Sequence, residues 1–364
     1  RLFNIETPVA AAAREKSVIA GSFATPQAIA HIMTQKFVMG SPLYRQEQEL
    51  HRQGIQLSRQ TMSNWILRAA EDWLKPIYDA LHRELLKQQV LHADETTLQV
   101  LREPGKTAQS KSYMWLYRTG GDTSHQIVLY EYQPDRKAEH AEDFLKGFSG
   151  YLHTDGYAGY HRLGEKVKVV GCWAHARRKF DEAVKCLPKE KQGTAAANEG
   201  LQYCNALFAL EKEFAKLSAE ERYAQRQEKA KPVMEALFAW CETKHAPPKS
   251  GLGKALHYIR EQKPYLTRYL EDGRLEISNN RAERSIKPFV IDRKNFLFAN
   301  TPNGAQGSAV IFSLIETAKA NGLDPYRYLV YVLSTAPGLA AEDPDWAEKL
   351  LPEHAPGSCR IKRN

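Results

Sequence analysis

Three acidic residues fall where packing alone does not explain a carboxylate. Asp94 stands inside Leu91-His92-Ala93-Asp94-Glu95-Thr96-Thr97, a stretch of strand composition, and burying a carboxylate mid-strand is costly unless it is paired or holds a cation. Alternation along a strand sends Asp94 and Glu95 to opposite faces, so one of them at most serves a given site; the pattern favours Asp94. Asp155 ends Tyr151-Leu152-His153-Thr154-Asp155-Gly156-Tyr157. Gly156 permits a sharp exit there, leaving a side chain free at the carboxyl edge of a strand, where ligands of open α/β sheets sit. Asp-Gly is equally ordinary turn chemistry, so Asp155 could serve the turn alone. Glu283 lies in Ser278-Asn279-Asn280-Arg281-Ala282-Glu283-Arg284-Ser285-Ile286-Lys287-Pro288, bordering a packed side formed by Ala282, Ile286 and Phe289; its alternative is a solvated charge on an Arg/Glu/Arg helix. Brought together, two aspartates and a glutamate offer hard oxygen ligands for one or two Mg²⁺ ions, with Mn²⁺ able to substitute, and such ions support in-line displacement at a phosphodiester.

Basic and polar residues flank these acids. Gly171-Cys172-Trp173-Ala174-His175-Ala176-Arg177-Arg178-Lys179-Phe180 opens a helix. Cys172 and His175 have a CxxH spacing, but no second Cys/His pair lies near, which argues against zinc. His175, Arg177 and Arg178 read as a phosphate-binding edge, with a satisfied structural histidine as the alternative. Arg281, Arg284, Lys287, Arg293 and Lys294 could track phosphates or simply face solvent. Nearer the front, Tyr44 to Arg52 is helical in composition, Gln53-Gly54-Ile55 makes a turn, and Ser58 can cap a second helix. That is the helix-turn-helix pattern, in which Arg59, Gln60, Ser63 and Asn64 would reach a DNA groove; an ordinary helical hairpin gives the same pattern.

The elements that must position these residues follow from periodicity. A linking helix spans Glu71 to Gln89, and the period then becomes extended over Val90 to Leu101, Ser112 to Arg118 and His125 to Tyr132, with Pro104-Gly105 and Gly120-Gly121-Asp122 as turns. These three strands predict an antiparallel meander. A polar helix, Arg136 to Phe148, and strands at Gly150 to Thr154 and Val167 to Cys172 follow, and the crossovers they require predict parallel pairing. This is the order of an α/β, ribonuclease-H-like mixed sheet. Ala174 to about Tyr269 is helical throughout, broken at Pro247-Pro248, and reads as an insertion. The division expected is a helical N-terminal region with the helix-turn-helix-like module at 1–89, the first part of a catalytic domain at 90–180, a helical insertion at 181–275, the rest of the catalytic domain at 276–335, and a surface or loose tail at 336–364.

Composition bounds the partners. The 364 residues are 43% hydrophobic and 26% charged, which excludes disorder, collagen and a small disulfide scaffold. No apolar run approaches the ~20 residues of a membrane span. Lysine and arginine number 51 against 43 acids, a formal charge of +8, which favours a polyanion as partner. Five cysteines without a CxxC pair suit a reduced setting. There is no secretory leader, and the opening Arg1 reads as a fragment or a processed product. The expectation is a cytoplasmic, nucleoid-associated protein.

The runs SPLYRQEQEL, LHADET, HTDGYAGY, GCWAHARRKF, DGRLEISNNRAERSIKP, RKNFLFAN and SLIETAKANGLDPYRYL, in this order, resemble the large transposase of the insertion sequence 66 group of bacterial mobile elements. The resemblance covers roughly Pro42 to Leu333. It implies a DDE-type transposase with Asp94, Asp155 and Glu283 as metal-binding acids and an insertion domain before the glutamate helix. It further implies DNA partners, namely the element's terminal inverted repeats and target DNA, with at least a dimer in synapsis and small co-encoded accessory proteins. The family often has two adjacent aspartates where this chain has Asp94-Glu95, and Ala-Ala where it has Arg281-Ala282. Its members usually carry an upstream cysteine-rich, zinc-finger-like region, which is not in this sequence. A nuclease that only hydrolyses DNA, or a non-catalytic DNA-binding regulator, would share part of this pattern; a glycosidase with paired carboxylates fits poorly with the basic helix around Glu283.

Overall fold

Caps start the N-terminal helices. In the computed structural model, which describes residues 17–361, the Thr25 hydroxyl accepts from the Ala28 amide at the head of α1 (Pro26–Phe37), which buries Ile29, Ala30, Met33 and Phe37. α2 (Leu43–Arg52) is polar nearly all round and buries only Gln46. Gly54, at φ 79°, turns the chain where a side chain would strain it. Ser58 then caps α3 (Arg59–Ala69) by accepting from the Thr61 amide. One π turn, Ala70–Leu74, leads into α4 (Lys75–Leu86).

Five strands follow in a single mixed sheet. β1 (Val90–Gln99), β2 (Lys111–Thr119) and β3 (Val128–Gln133) form the expected antiparallel meander. α5 (Ala138–Phe144) then carries the chain across to β4 (Gly150–His153), and a 3-10 turn, Ala158–Arg162, carries it to β5 (Val167–Val170). Both late strands pair in parallel, giving the order β3-β2-β1-β4-β5. β1 is therefore central, with Asp94 opposite Leu116 on β2 and His92 opposite His153 on β4.

Two apolar cores flank the sheet. α6 (Trp173–Lys185), α7 (Lys189–Gln192), α8 (Ala196–Glu213), α9 (Ala219–Gln225), α10 (Lys231–Thr243) and α11 (Gly251–Thr267) make up the helical region. Trp173, Phe180, Leu207, Leu237 and Leu256 pack there with Val90 and Val170. The second core joins α1, α3 and α4 to β1–β3 and to α12 (Asn280–Phe296), α13 (Pro302–Ala320) and α14 (Pro325–Leu339). The free edge of β3 is covered by α13: Ser313 Oγ accepts from the Tyr130 amide, while Thr317 Oγ1 accepts from the Val128 amide and donates to its carbonyl. Two buried hydroxyls thus satisfy an edge that would otherwise invite another strand.

The C-terminal tail departs from expectation. Ala336 and Pro337 belong to α14, and Leu350, Leu351 and Cys359 are buried. The Tyr328 hydroxyl donates to the Leu350 carbonyl, Asp324 N donates to the Cys359 carbonyl, and Trp346 meets Trp73 edge to face. Its anchors are irregularly spaced, so they leave no periodic signal, and proline and charge dominate the composition. Among the described residues, no helix is long and apolar enough to cross a membrane.

Candidate active site

The two aspartates meet because their strands are neighbours in register. His92 pairs with His153, Asp94 lies two residues beyond one and Asp155 two residues beyond the other, so both carboxylates reach the same end of the sheet. Asp155 also serves the turn: its Oδ1 accepts from the Tyr157 amide at 2.9 Å, and Gly156 sits at φ 98°. The turn role and a half-buried carboxylate coexist.

Glu283 arrives in the first turn of α12, and one buried side chain fixes that turn. Asn279 is fully buried. Its Nδ2 donates to the Ala93 carbonyl at 2.8 Å, its Oδ1 accepts from His92 Nδ1 at 3.0 Å, its amide donates to Cys172 Sγ at 3.2 Å, and its carbonyl accepts from the Glu283 amide at 3.2 Å. The residue beside Asp94, the head of α6 and the turn bearing Glu283 are thereby tied through one amide. Because Nδ2 donates, Oδ1 must accept, so the His92 proton is on Nδ1. His153 Nε2 in turn accepts from the Glu276 amide at 3.2 Å. The two imidazoles stack with centroids 4.4 Å apart. Burial holds both neutral, lowering His92 to about 3 and His153 well below the ordinary imidazole value. Sequence reasoning missed this pair; the signal was a repeated His-x-Asp at two strand ends.

The acids are poorly compensated. Asp94 accepts from the Glu95 amide at 2.9 Å, but no cationic side chain among the described residues pairs with it. Burial, then the charges of Glu95, Asp155 and Glu283, push its carboxyl up to about 8. A carboxylate held among carboxylates is relieved by a proton or by a cation. Glu95 has the opposite fate on the other face of β1. Its side chain is 1% exposed, paired with Arg136 and accepting from the Tyr160 hydroxyl at 2.7 Å. Asp94, Asp155 and Glu283 offer oxygen donors of the kind a hard divalent ion takes, although their oxygens do not all lie within 4.8 Å of one another.

A different trio is closer together. Among the described residues, the one group of three potential ligands with all their atoms within 4.8 Å is Cys172, His175 and Glu283. Cys172 is committed to the Asn279 amide, and burial pushes its thiol up to about 11, so it is held as a thiol. His175 Nδ1 lies 3.7 Å from Glu283 Oε1, buried and without a hydrogen-bond partner. The structure therefore sets His175 beside the glutamate.

The expected DNA contacts divide. Arg284, Lys287 and Lys294 are exposed and recur at helical spacing along α12, as one basic stripe leading from Glu283, and Arg178 is exposed on α6. Others are used within the protein: Arg177 donates to Asn205 at 2.7 Å, Arg281 pairs with Glu276, and Arg293 Nη1 donates to Thr96 Oγ1 and Thr97 Oγ1 on β1. On α3, Arg59 is exposed, whereas Gln60, Ser63 and Asn64 border a cavity shared with Arg293.

Two family models match most of this chain. Residues 21–307 match the family described as Transposase IS66 family, and residues 313–352 match the IS66 C-terminal element. Two proteins of Sinorhizobium fredii (strain NBRC 101917 / NGR234), each described only as uncharacterized, are similar: y4qI is 34% identical over 87% of this chain and 60% of its own length, and y4jD is 36% identical over 86% and 63%. The chain spans about three fifths of the length of these curated relatives.

Proposed function

The chain belongs to the IS66 transposase family, and from that premise we propose that it is a DDE-type DNA transposase whose Asp94, Asp155 and Glu283 hold Mg²⁺, or Mn²⁺ in its place. The observation that carries this reading is geometric: the register of two neighbouring parallel strands brings Asp94 and Asp155 to one region of the sheet, and Asn279 ties the first turn of α12, which bears Glu283, to β1 beside Asp94. The strand order β3-β2-β1-β4-β5 supports a ribonuclease-H-like catalytic domain, with Asp94 within central β1, Asp155 just past the end of β4 and Glu283 on the helix packed against β1.

Bound among the three carboxylates, the metal would activate the attacking oxygen and stabilise the leaving one in an in-line displacement at phosphorus. Asp94 and Asp155 present oxygens from the rigid sheet, and Glu283 closes the site from α12. Asn279 and the stacked histidines hold that helix in place, so little reorganisation is needed when substrate binds. His175 Nδ1 stands 3.7 Å from Glu283 Oε1 without hydrogen-bonding to it. Arg284, Lys287, Lys294 and Arg178 bind the DNA backbone, and this binding weakens as salt rises. Cleavage exposes a 3′ hydroxyl at the element end, and the same site then directs that hydroxyl at target DNA. Two ends must be held at once, which calls for at least a homodimer, with accessory proteins as further partners.

The test is cleavage and joining of labelled terminal-repeat DNA with Mg²⁺ or Mn²⁺, comparing the parent chain with Asp94→Ala, Asp155→Ala and Glu283→Ala. Metal-dependent joining that each substitution abolishes while DNA binding persists is the expected result. Cleavage without joining would make the protein a nuclease, and activity indifferent to all three acids would overturn the assignment.

A further inference from the structure

A cavity of about 300 Å³ lies between α3 and the corner of α12 and α13. Phe289, Phe296, Phe298 and Phe312 give it an aromatic wall, and Gln60, Ser63 and Asn64 line the α3 side. Phe289 and Phe312 belong to the buried core, whereas Phe298 is 44% exposed and stands where solvent can reach it. Two cations face the same space. Arg293 is braced by Thr96 and Thr97. Lys36 lies 3.8 Å over the Phe296 ring and has no ion-pair partner among the described residues. Burial lowers its ammonium to about 8, against the pull of Asp292, so an anion brought beside it would be favoured.

An aromatic wall, two cations and a set of amides and hydroxyls match the parts of a nucleotide: a π-face, a phosphate and a hydrogen-bonding base edge. Two segments that the sequence marks separately for DNA contact, Gln60/Ser63/Asn64 and Arg293, converge here. The position also suits a substrate engaged at the acids. Glu283 and Arg293 share α12, and at about 1.5 Å per residue they stand roughly 15 Å apart along its axis. That distance covers about four nucleotides at 3.4 Å each.

We propose that this cavity receives one nucleotide of the DNA strand, swung out of the base stack about four positions from the phosphate at the acids, with its phosphate at Lys36 and Arg293 and its base against the phenylalanine wall. The proposal rests on the DNA-processing reading above. An everted base costs unstacking energy, which the aromatic wall returns, and it fixes the register of the strand relative to Asp94, Asp155 and Glu283.

The experiment uses the full chain and terminal-repeat duplexes carrying 2-aminopurine at single positions within eight nucleotides of the end. One position is expected to brighten severalfold on binding, and the brightening should be lost in Lys36→Met and in Phe298→Ala. Phe298 is exposed, so its variant tests the cavity without disturbing the core. An abasic site at that position should weaken binding about tenfold to the parent and hardly at all to Phe298→Ala. Asp94→Asn should keep the brightening while losing cleavage. If no position brightens, or if both cavity variants brighten like the parent, the proposal is overturned even where cleavage is intact. Binding of free deoxynucleoside monophosphates with no brightening of DNA would also overturn it. Brightening that depends on Lys36 and Phe298, in a chain that does not cleave, would uphold the cavity and remove the transposase reading instead.

Discussion

In the helical region, the guanidinium of Arg226 is fully buried and every arm is used. It meets both oxygens of Glu211 at 2.8 and 2.7 Å and donates to the carbonyls of Tyr269, Asp272 and Leu275. Midway along β1, Asp94 is also largely buried, but its neighbours include Glu95, Asp155 and Glu283, and among the described residues no cationic side chain pairs with Asp94. The first charge is closed within the fold, where it pins the segment leading to α12. The second is left open, and a buried charge without internal compensation persists where a ligand from outside balances it. Glu95, one residue along the same strand, takes the closed solution with Arg136 and Tyr160. The contrast between structural and functional charge therefore runs between adjacent residues as well as between regions.

The sharpest break in this contrast comes from neutralising the open cluster. Asp94→Asn, Asp155→Asn and Glu283→Gln should each lower DNA cleavage at least about a thousandfold, more than 4 kcal/mol on the barrier. In the metal-free chain, Asp94→Asn should leave the melting temperature unchanged or raised, because an amide sits among the acids without having to take up a proton on folding. A melting temperature several degrees lower would mark Asp94 as a structural acid. Arg226→Met should do the reverse. It leaves Glu211 buried without its partner, costs about 3–5 kcal/mol of stability, and shows as a lower denaturation midpoint in urea.

Asn279→Ala tests the link between the regions. It strips His92 Nδ1 and the Ala93 carbonyl of their partners, at about 1–3 kcal/mol. Looser placement of Glu283 should lower cleavage roughly tenfold to a hundredfold, with DNA affinity unchanged; equal losses in both would refute a positioning role. The smallest effect is in pH dependence. The Asp94 carboxyl in the folded chain lies at about 8, above its unfolded value of about 3.9. The folded state therefore holds a proton that the unfolded state releases, so the Asp94 contribution to metal-free stability falls as pH rises from about 4 to about 8, while His92 and His153, lowered by burial, contribute an opposing rise up to about 6.5. Glu131, also pushed up to about 8 by burial, adds a slope common to parent and variant. The Asp94 part is read as the difference in melting temperature between parent and Asp94→Asn, which should grow as pH rises from about 4 to about 8 and shrink under saturating Mg²⁺.

Much of the architecture was legible because it rests on local patterning. Strand composition from Val90, turn residues at Pro104-Gly105 and Gly120-Gly121, and the Ser58 cap all mark elements that form as expected. The tail beyond Ala336 was not, because its anchors Leu350, Leu351 and Cys359 follow no helical or strand period. The polar latch was hidden for another reason: Asn279 looks like a helix cap in sequence, and its amide instead reaches β1. Arg177 and Arg281 stand in basic runs, and only their partners Asn205 and Glu276 tell a structural arginine from one free to meet phosphate.

By itself the sequence determined which residues are acidic, where the strands and helices begin, and that the family's motifs occur in order. These depend on residue type and on spacing within a few turns of chain. Tertiary structure decided which charges are answered. Compensation is a matter of distance across elements far apart in sequence: β1 against β4, α12 across β1, α8 against the segment before α12. Register placed Asp155 near Asp94, a buried asparagine tied the turn bearing Glu283 to β1, and among the described residues no cationic side chain pairs with Asp94.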